Sequence, residues 1–277
     1  MKFSKQTFFL FAGLAASGLT TVSADTFIRE RTETFPASPG KSLRIDAGSA
    51  QLEVRPGAAD VIVLNVLMHA RTSSEEKAAK VFDSAVVSFE NDATSTSLKI
   101  DTAKSSWFCS FKTPRPNITV IAECPPSTDL NFDTGSGDIL VEGITGDIRL
   151  DTGSGSISGR DLEGSVAADT GSGLISVINL RGDFSGDTGS GKIHVENLIG
   201  SFSGDTGSGS IAAEGSIPSF EADTGSGSIA IRSNAILDAN SIADTGSGSV
   251  SIVLPAAAAF VLDASTGSGS ISCSFPD

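Results

Sequence analysis

One five-residue string constrains this chain more than any other feature. Asp-Thr-Gly-Ser-Gly begins at Asp133, Asp151, Asp169, Asp187, Asp205, Asp223 and Asp244. An eighth copy opens with Ser265, and a weaker relative, Asp46-Ala47-Gly48-Ser49-Ala50, stands far upstream. Successive copies start 18 residues apart five times and then 21 apart twice. A fixed period of this length predicts one structural unit stacked many times.

Inside each unit the apolar positions report how the chain coils. The seventh position reads Ile139, Ile157, Ile175, Ile193, Ile211, Ile229, Val250 and Ile271. Two places on come Val141, Gly159, Val177, Val195, Ala213, Ile231, Ile252 and Cys273, the period of two of a strand with one face inward. Early units carry a second apolar group at Ile144, Leu162, Leu180 and Leu198, then at Ile148, Val166, Phe184 and Phe202. Each coil therefore holds at least two short strands joined by Gly-rich bends, where Gly supplies positive φ at little cost.

The fold expected is all-β: a parallel β-solenoid of 18–21-residue coils, right-handed by the crossover rule, with a mixed N-terminal cap containing one helix. Eight coils at about 4.8 Å would make a rod of roughly 38 Å. Residues 133–277 form the repeat region and 25–132 the cap, which is needed because an open solenoid end exposes unpaired strand edges. In the cap, Val61 to Met68, Ala85–Glu90, Ser97–Asp101 and Asn117–Ala122 read as strands. Ser73-Ser74-Glu75-Glu76 reads as a capped start to an amphipathic helix.

Residues 1–24 have the chemistry of an export signal: Lys2 and Lys5, an apolar stretch from Phe8 to Ala16, and Val22-Ser23-Ala24 as a small-residue cleavage site. Ser17, Thr20 and Thr21 interrupt the stretch too early for a membrane span, which needs about 20 apolar residues. The mature chain is expected to be periplasmic or extracellular. Removing the two lysines takes 19 basic residues to 17 against 33 acidic ones, a balance of −16. Of this, −14 lies in residues 133–277, from 5 basic and 19 acidic residues. Such a field argues against nucleic acid or an anionic membrane surface as partner. The three cysteines allow one bridge in an oxidising compartment. Cys109 and Cys124 would close a loop worth about 3 kcal/mol, leaving Cys273 over. The only two histidines, His69 and His194, have no Cys or second His at zinc-ligand spacing, so no metal or cofactor is expected.

Several motifs invite a chemical reading. Asn131-Phe132-Asp133-Thr134-Gly135-Ser136 resembles the signature of pepsin-like proteases, yet those enzymes need two carboxylates sharing a proton, whereas here seven copies repeat at a near-constant period. Gly186 to Lys192 nearly spells a P-loop, but Ile193 stands where Mg²⁺ needs a hydroxyl. Stacking sets the seven Asp in a column where each neighbouring pair costs roughly 0.8 kcal/mol in water. Hydrogen bonding of each carboxylate to its own turn is the preferred offset, ahead of a bound cation such as Ca²⁺. The parallel Thr column, Thr134 through Thr266, raises the further reading of an ice-binding row, against a hydroxyl ladder within the turn. Trp107, Phe108 and Phe111, beside Lys112 and Arg115, are the candidate partner contact, for a sugar or protein ligand.

The D-T-G-S-G-x-I-x-V repeats, the upstream Ile45-Asp46-Ala47-Gly48-Ser49 strand and the export signal together resemble the bacterial putative-adhesin family of uncharacterised β-strand-repeat domains, over roughly residues 40–277. That resemblance implies an adhesin-like role and carries over no catalytic residue. The functional expectation is an exported, non-enzymatic binding or structural module of the cell envelope. The alternatives are a carbohydrate-active enzyme on a parallel β-helix and a scaffold that assembles through its strand edges.

Overall fold

The computed structural model describes residues 25–102, 115–258 and 268. The leader at 1–24, the Trp107, Phe108 and Phe111 cluster, Cys109, Cys273 and most of the eighth repeat lie outside the described residues.

The first part of the chain runs β1 (Asp25–Pro36), β2 (Ser42–Asp46), β3 (Gln51–Pro56), β4 (Val61–Thr72), α1 (Glu75–Phe82), β5 (Ala85–Asn91), β6 (Ser95–Thr102) and β7 (Asn117–Cys124). The repeat then gives paired strands: β8 (Leu130–Thr134) and β9 (Ile139–Glu142), β10 (Ile148–Thr152) and β11 (Ile157–Glu163), β12 (Val166–Thr170) and β13 (Ile175–Arg181). It continues with β14 (Phe184–Thr188) and β15 (Ile193–Ile199), β16 (Phe202–Thr206) and β17 (Ile211–Ser216), β18 (Phe220–Ser226) and β19 (Ile229–Ser233), and β20 (Ile242–Ser247) and β21 (Val250–Val253). The fold is thus the expected parallel β-solenoid, flattened into a sandwich with one strand of each coil in each sheet.

One sheet has ten strands in the order β20-β18-β16-β14-β12-β10-β8-β2-β6-β5, and the other eleven, ending in β3-β7-β4-β1. Register is kept from coil to coil apart from a shift between Val195 and Leu198 where β15 meets β17, so Asp151 lies beside Asp133 and Asp169, and Ile175 beside Ile157 and Ile193. The inward Ile and Val at these positions are buried to within 1% exposure, and each contributes about 1.5–3 kcal/mol. Volume is traded within a coil. Phe184 and Phe202 stack at 5.6 Å between ring centroids, and each is followed two residues later by Gly186 or Gly204, where a Cβ would strike the ring.

The residue that holds each corner is Thr. Thr170 is fully buried; its Oγ1 accepts from the Gly173 N–H at 3.1 Å and donates to the Gly155 carbonyl of the preceding coil at 2.8 Å. The same donation recurs from Thr152 to Gly137, Thr206 to Gly191 and Thr224 to Gly209. At the second glycine of each corner a Cβ would overlap the carbonyl of the coil beneath, as Gly173 would overlap Gly155, so a side chain is excluded there. This corrects one expectation, for Asp, and bears out another, for Thr. The Asp of the pentapeptide does not tie its own turn, because strand alternation sends it outward and the neighbouring Thr inward. From Thr134 to Thr224 the row is buried and donates to the preceding coil, with Thr134, Thr152, Thr170 and Thr188 also accepting from their own turns, so these residues form the hydroxyl ladder within the turn and do not present hydroxyls to ice.

Three features had no sequence counterpart above. Asp161, Asn179 and Asn197 take φ of 55 to 60° inside β11, β13 and β15 and form a side-chain ladder, with Asn179 donating to Asp161 at 2.6 Å and Asn197 to Asn179 at 2.9 Å. The small polar side chain tolerates that conformation and lets Leu162, Leu180 and Leu198 return to the core. Asp129, Asp147 and Asp183 at the opposite corner reach up to the backbone N–H of the next coil, at 2.9 to 3.2 Å. Layer order also departs from chain order: β2 and β3 sit between β6–β7 and β8–β9, so the Asp46-to-Ala50 relative is a corner of the same stack.

The N-terminal end closes differently. β1 pairs antiparallel with β4, and β5 with β6. Helix α1 begins at the Ser74 cap and packs Ala78, Val81 and Phe82 inward, as its sequence predicts. Arg31 donates to the Val87 carbonyl at 2.9 Å with its guanidinium 4.5 Å from the Phe89 ring; Arg29 lies 4.8 Å from the Phe82 ring and pairs with Asp83 at 2.9 Å. These arginines span from one edge strand to structure beside the other, where a bare edge would invite pairing.

Candidate functional site

Strand alternation places three columns of outward side chains along the ten-stranded sheet. Nearest the loop-side corner are Asp129, Asp147, Ser165, Asp183, Ser201 and Ser219. Next come Arg44, Asn131, Arg149, Ala167, Ser185 and Ser203. The outermost is the Asp column, extended by Asp46 to eight carboxylates from Asp46 to Asp244. Lys99 stands in register with Asp46 at 3.9 Å and ends the column at the cap.

The first two columns enclose a trough of about 760 Å³ that runs across the strands from Ser42 and Arg44 to Ala239 and Asn240. Its middle is shallow and clear because the side chains there are Ser and Ala; the buried Phe184, Phe202 and Phe220 lie under its floor. Arg44 and Arg149 flank Asn131 at its cap end, where a second hollow of about 250 Å³ adjoins, lined by Lys99, Glu90 and Asp133 among others.

Electrostatics in the Asp column follow from spacing. Partial desolvation, then the carboxylates of Asp169 and Asp205, push the Asp187 carboxyl above its ordinary value; Asp223 and Asp151 are raised in the same way, with Arg149 partly opposing the rise at Asp151. No hydrogen bond offsets these shifts. Among the described residues no group of three or more His, Cys, Asp or Glu is disposed to hold a metal ion.

Other sequence candidates fall elsewhere. His194 faces solvent on the eleven-stranded sheet and bonds Glu196 at 2.8 Å. Cys124 is a buried free thiol that desolvation holds up at about 11, partly opposed by a hydrogen bond with Thr128. The trough itself was missed by sequence reasoning. Its signal was available in the small residues Ala167, Ser185 and Ser203 recurring one coil apart at an outward position, where a surface strand ordinarily carries long polar side chains.

The architecture defines a two-sheet β-solenoid with one grooved, acid-edged face. The match of a family model, Toastrack DUF4097, over residues 41–277 places the chain in that family. The chain belongs to the Toastrack DUF4097 family, which bears out the resemblance read from its repeats. No curated protein matches the sequence. Similar crystal structures include a putative adhesin from Bacteroides fragilis, at 13% identity and a TM-score of 0.47 over 81% of this chain and 97% of that one. A putative lipid binding protein from Parabacteroides distasonis aligns at 16% identity and a TM-score of 0.43, over 82% and 96%. A putative adhesin from the same species aligns at 12% and 0.44, over 81% and 97%. No helix among the described residues is long and apolar enough to cross a membrane.

Proposed function

We propose that this chain is an exported, adhesin-like binding module of the bacterial cell envelope and performs no catalysis. The observation that carries the reading is the trough: a continuous surface built from the same two outward positions of successive coils, running across the strands along the rod. Repetition suits contact with an extended partner. A reaction centre needs two acids held in unlike environments, whereas a repeat offers many nearly equivalent ones. The leader chemistry of residues 1–24 supports export.

Ser203→Trp fills the trough from an exposed strand position, while Ala230→Trp places the same bulk on the opposite sheet. Mature chain 25–277 is expected to bind isolated envelope fractions, with Ser203→Trp weakening binding roughly tenfold and Ala230→Trp leaving it intact. Equal binding by both variants would contradict the site. Release of reducing ends from acidic polysaccharides by the wild-type chain would contradict the non-enzymatic assignment.

A further inference from the structure

Resting on that reading, we infer that the occupant of the trough is an extended, uncharged polysaccharide strand lying along the rod axis, close to one sugar ring per coil. Length comes first. From Arg44 on β2 to Asn240 before β20 the trough crosses eight layers, and seven steps of about 4.8 Å make roughly 34 Å. A compact metabolite would touch a small part of such a slot, and a folded protein surface would not follow its floor. A linear polymer can engage every layer.

Charge then narrows the class. The repeat region carries −14, and the column of eight carboxylates, seven of them from this region and the eighth Asp46, runs beside the trough, so a polyanion is repelled along the whole length. A uniformly cationic chain meets Arg44 and Arg149, two layers apart in the same column, at the cap end. An acyl chain would leave the Ser hydroxyls and the Asn131 amide without partners, at a cost for each. Sugar hydroxyls both donate and accept, and the trough offers both functions. Asp147 and Asp183 accept, Arg44 and Arg149 donate, and Ser185 and Ser203 do either.

The phenyl rings of Phe184, Phe202 and Phe220 are buried below the floor and provide no stacking platform, so each sugar is held by hydrogen bonds and close packing alone. Affinity is therefore weak per unit and gathered along the strand, which makes chain length the diagnostic variable.

Calorimetry of the mature chain with linear β-1,4-linked gluco-oligosaccharides, from disaccharide to octasaccharide, tests this. Affinity is expected to rise with each added sugar until the trough is spanned, to fall roughly tenfold in Ser203→Trp and Ser185→Trp, and to be unchanged in Ala230→Trp. A polyuronic acid of matched length is expected to bind at least roughly tenfold more weakly than the neutral chain. Absence of neutral-chain binding, affinity independent of length, or equal binding in the trough variants would overturn the inference. If those variants still lose envelope binding while the oligosaccharides do not bind, the polysaccharide assignment fails and the binding-module reading stands; if neither binds, both fail.

Discussion

The two ends of the sequence solve the same problem, how to finish a layer of sheet, by different means. In the repeat a corner is made of backbone and one buried hydroxyl, and the next coil supplies the missing partners. At the N-terminal end of the stack, among the described residues, antiparallel strands, a helix and two arginines stacked on Phe82 and Phe89 take that place. The contrast teaches where chemistry can reside. A coil that spends its inward positions on packing and its Thr on the corner leaves only outward columns free to vary, and there the trough and the Asp column lie.

The contrast can be sharpened by substitution, and the corner should give the largest effect. Thr170→Val strands the Gly173 N–H and removes a donor from the Gly155 carbonyl, both buried, for an expected loss of about 2–4 kcal/mol by denaturant unfolding. A loss no greater than that of an exposed Ser172→Ala substitution would mean that Thr does not hold the corner. At the cap, Arg31→Ala removes one carbonyl contact and one ring contact at a partly exposed site, for about 1 kcal/mol. A loss matching that of Thr170→Val would erase the distinction between the two regions.

The smallest effect concerns the Asp column and has the opposite sign. A carboxyl whose folded-state pKa lies above its unfolded value contributes stability that is fully present below the unfolded value and lost as pH rises through the folded one. The raised carboxyl of Asp187 is therefore a liability at neutral pH. Asp187→Asn is expected to stabilise the chain near pH 7 by on the order of a few tenths of a kcal/mol at low salt, since exposure and screening dilute the repulsion. The gain should vanish below the ordinary carboxylate range. Destabilisation at pH 7 would show that the carboxylate has a favourable partner.

Much of the fold was legible because periodicity is a strong signal. The 18-residue spacing, the Ile and Val rows and the Ser74 cap each specify structure through local rules. The turn role expected of Asp weighs turn propensity above strand parity, whereas the Thr hydroxyls form the ladder expected within the turn. Ile148, Leu150 and Thr152 share one face of β10, which sends Asp151 outward, and counting by twos from Ile148 shows it. Layer order was not legible, since nothing local to β2 says that β8 will return beside it rather than beside β6. The positive-φ residues Asn179 and Asn197 sit between inward positions three apart, Val177 and Leu180 or Val195 and Leu198, an odd spacing that strand alternation alone does not explain.

Residue-resolved hydrogen exchange at the corners reaches the heart of the account. Each amide bonded to a buried Thr hydroxyl, at Gly155, Gly173 and Gly191, should be strongly protected. The exposed Ser154, Ser172 and Ser190 between the paired glycines should exchange fast. Uniformly fast exchange through every copy of the pentapeptide would contradict a solenoid whose corners are fastened by Thr.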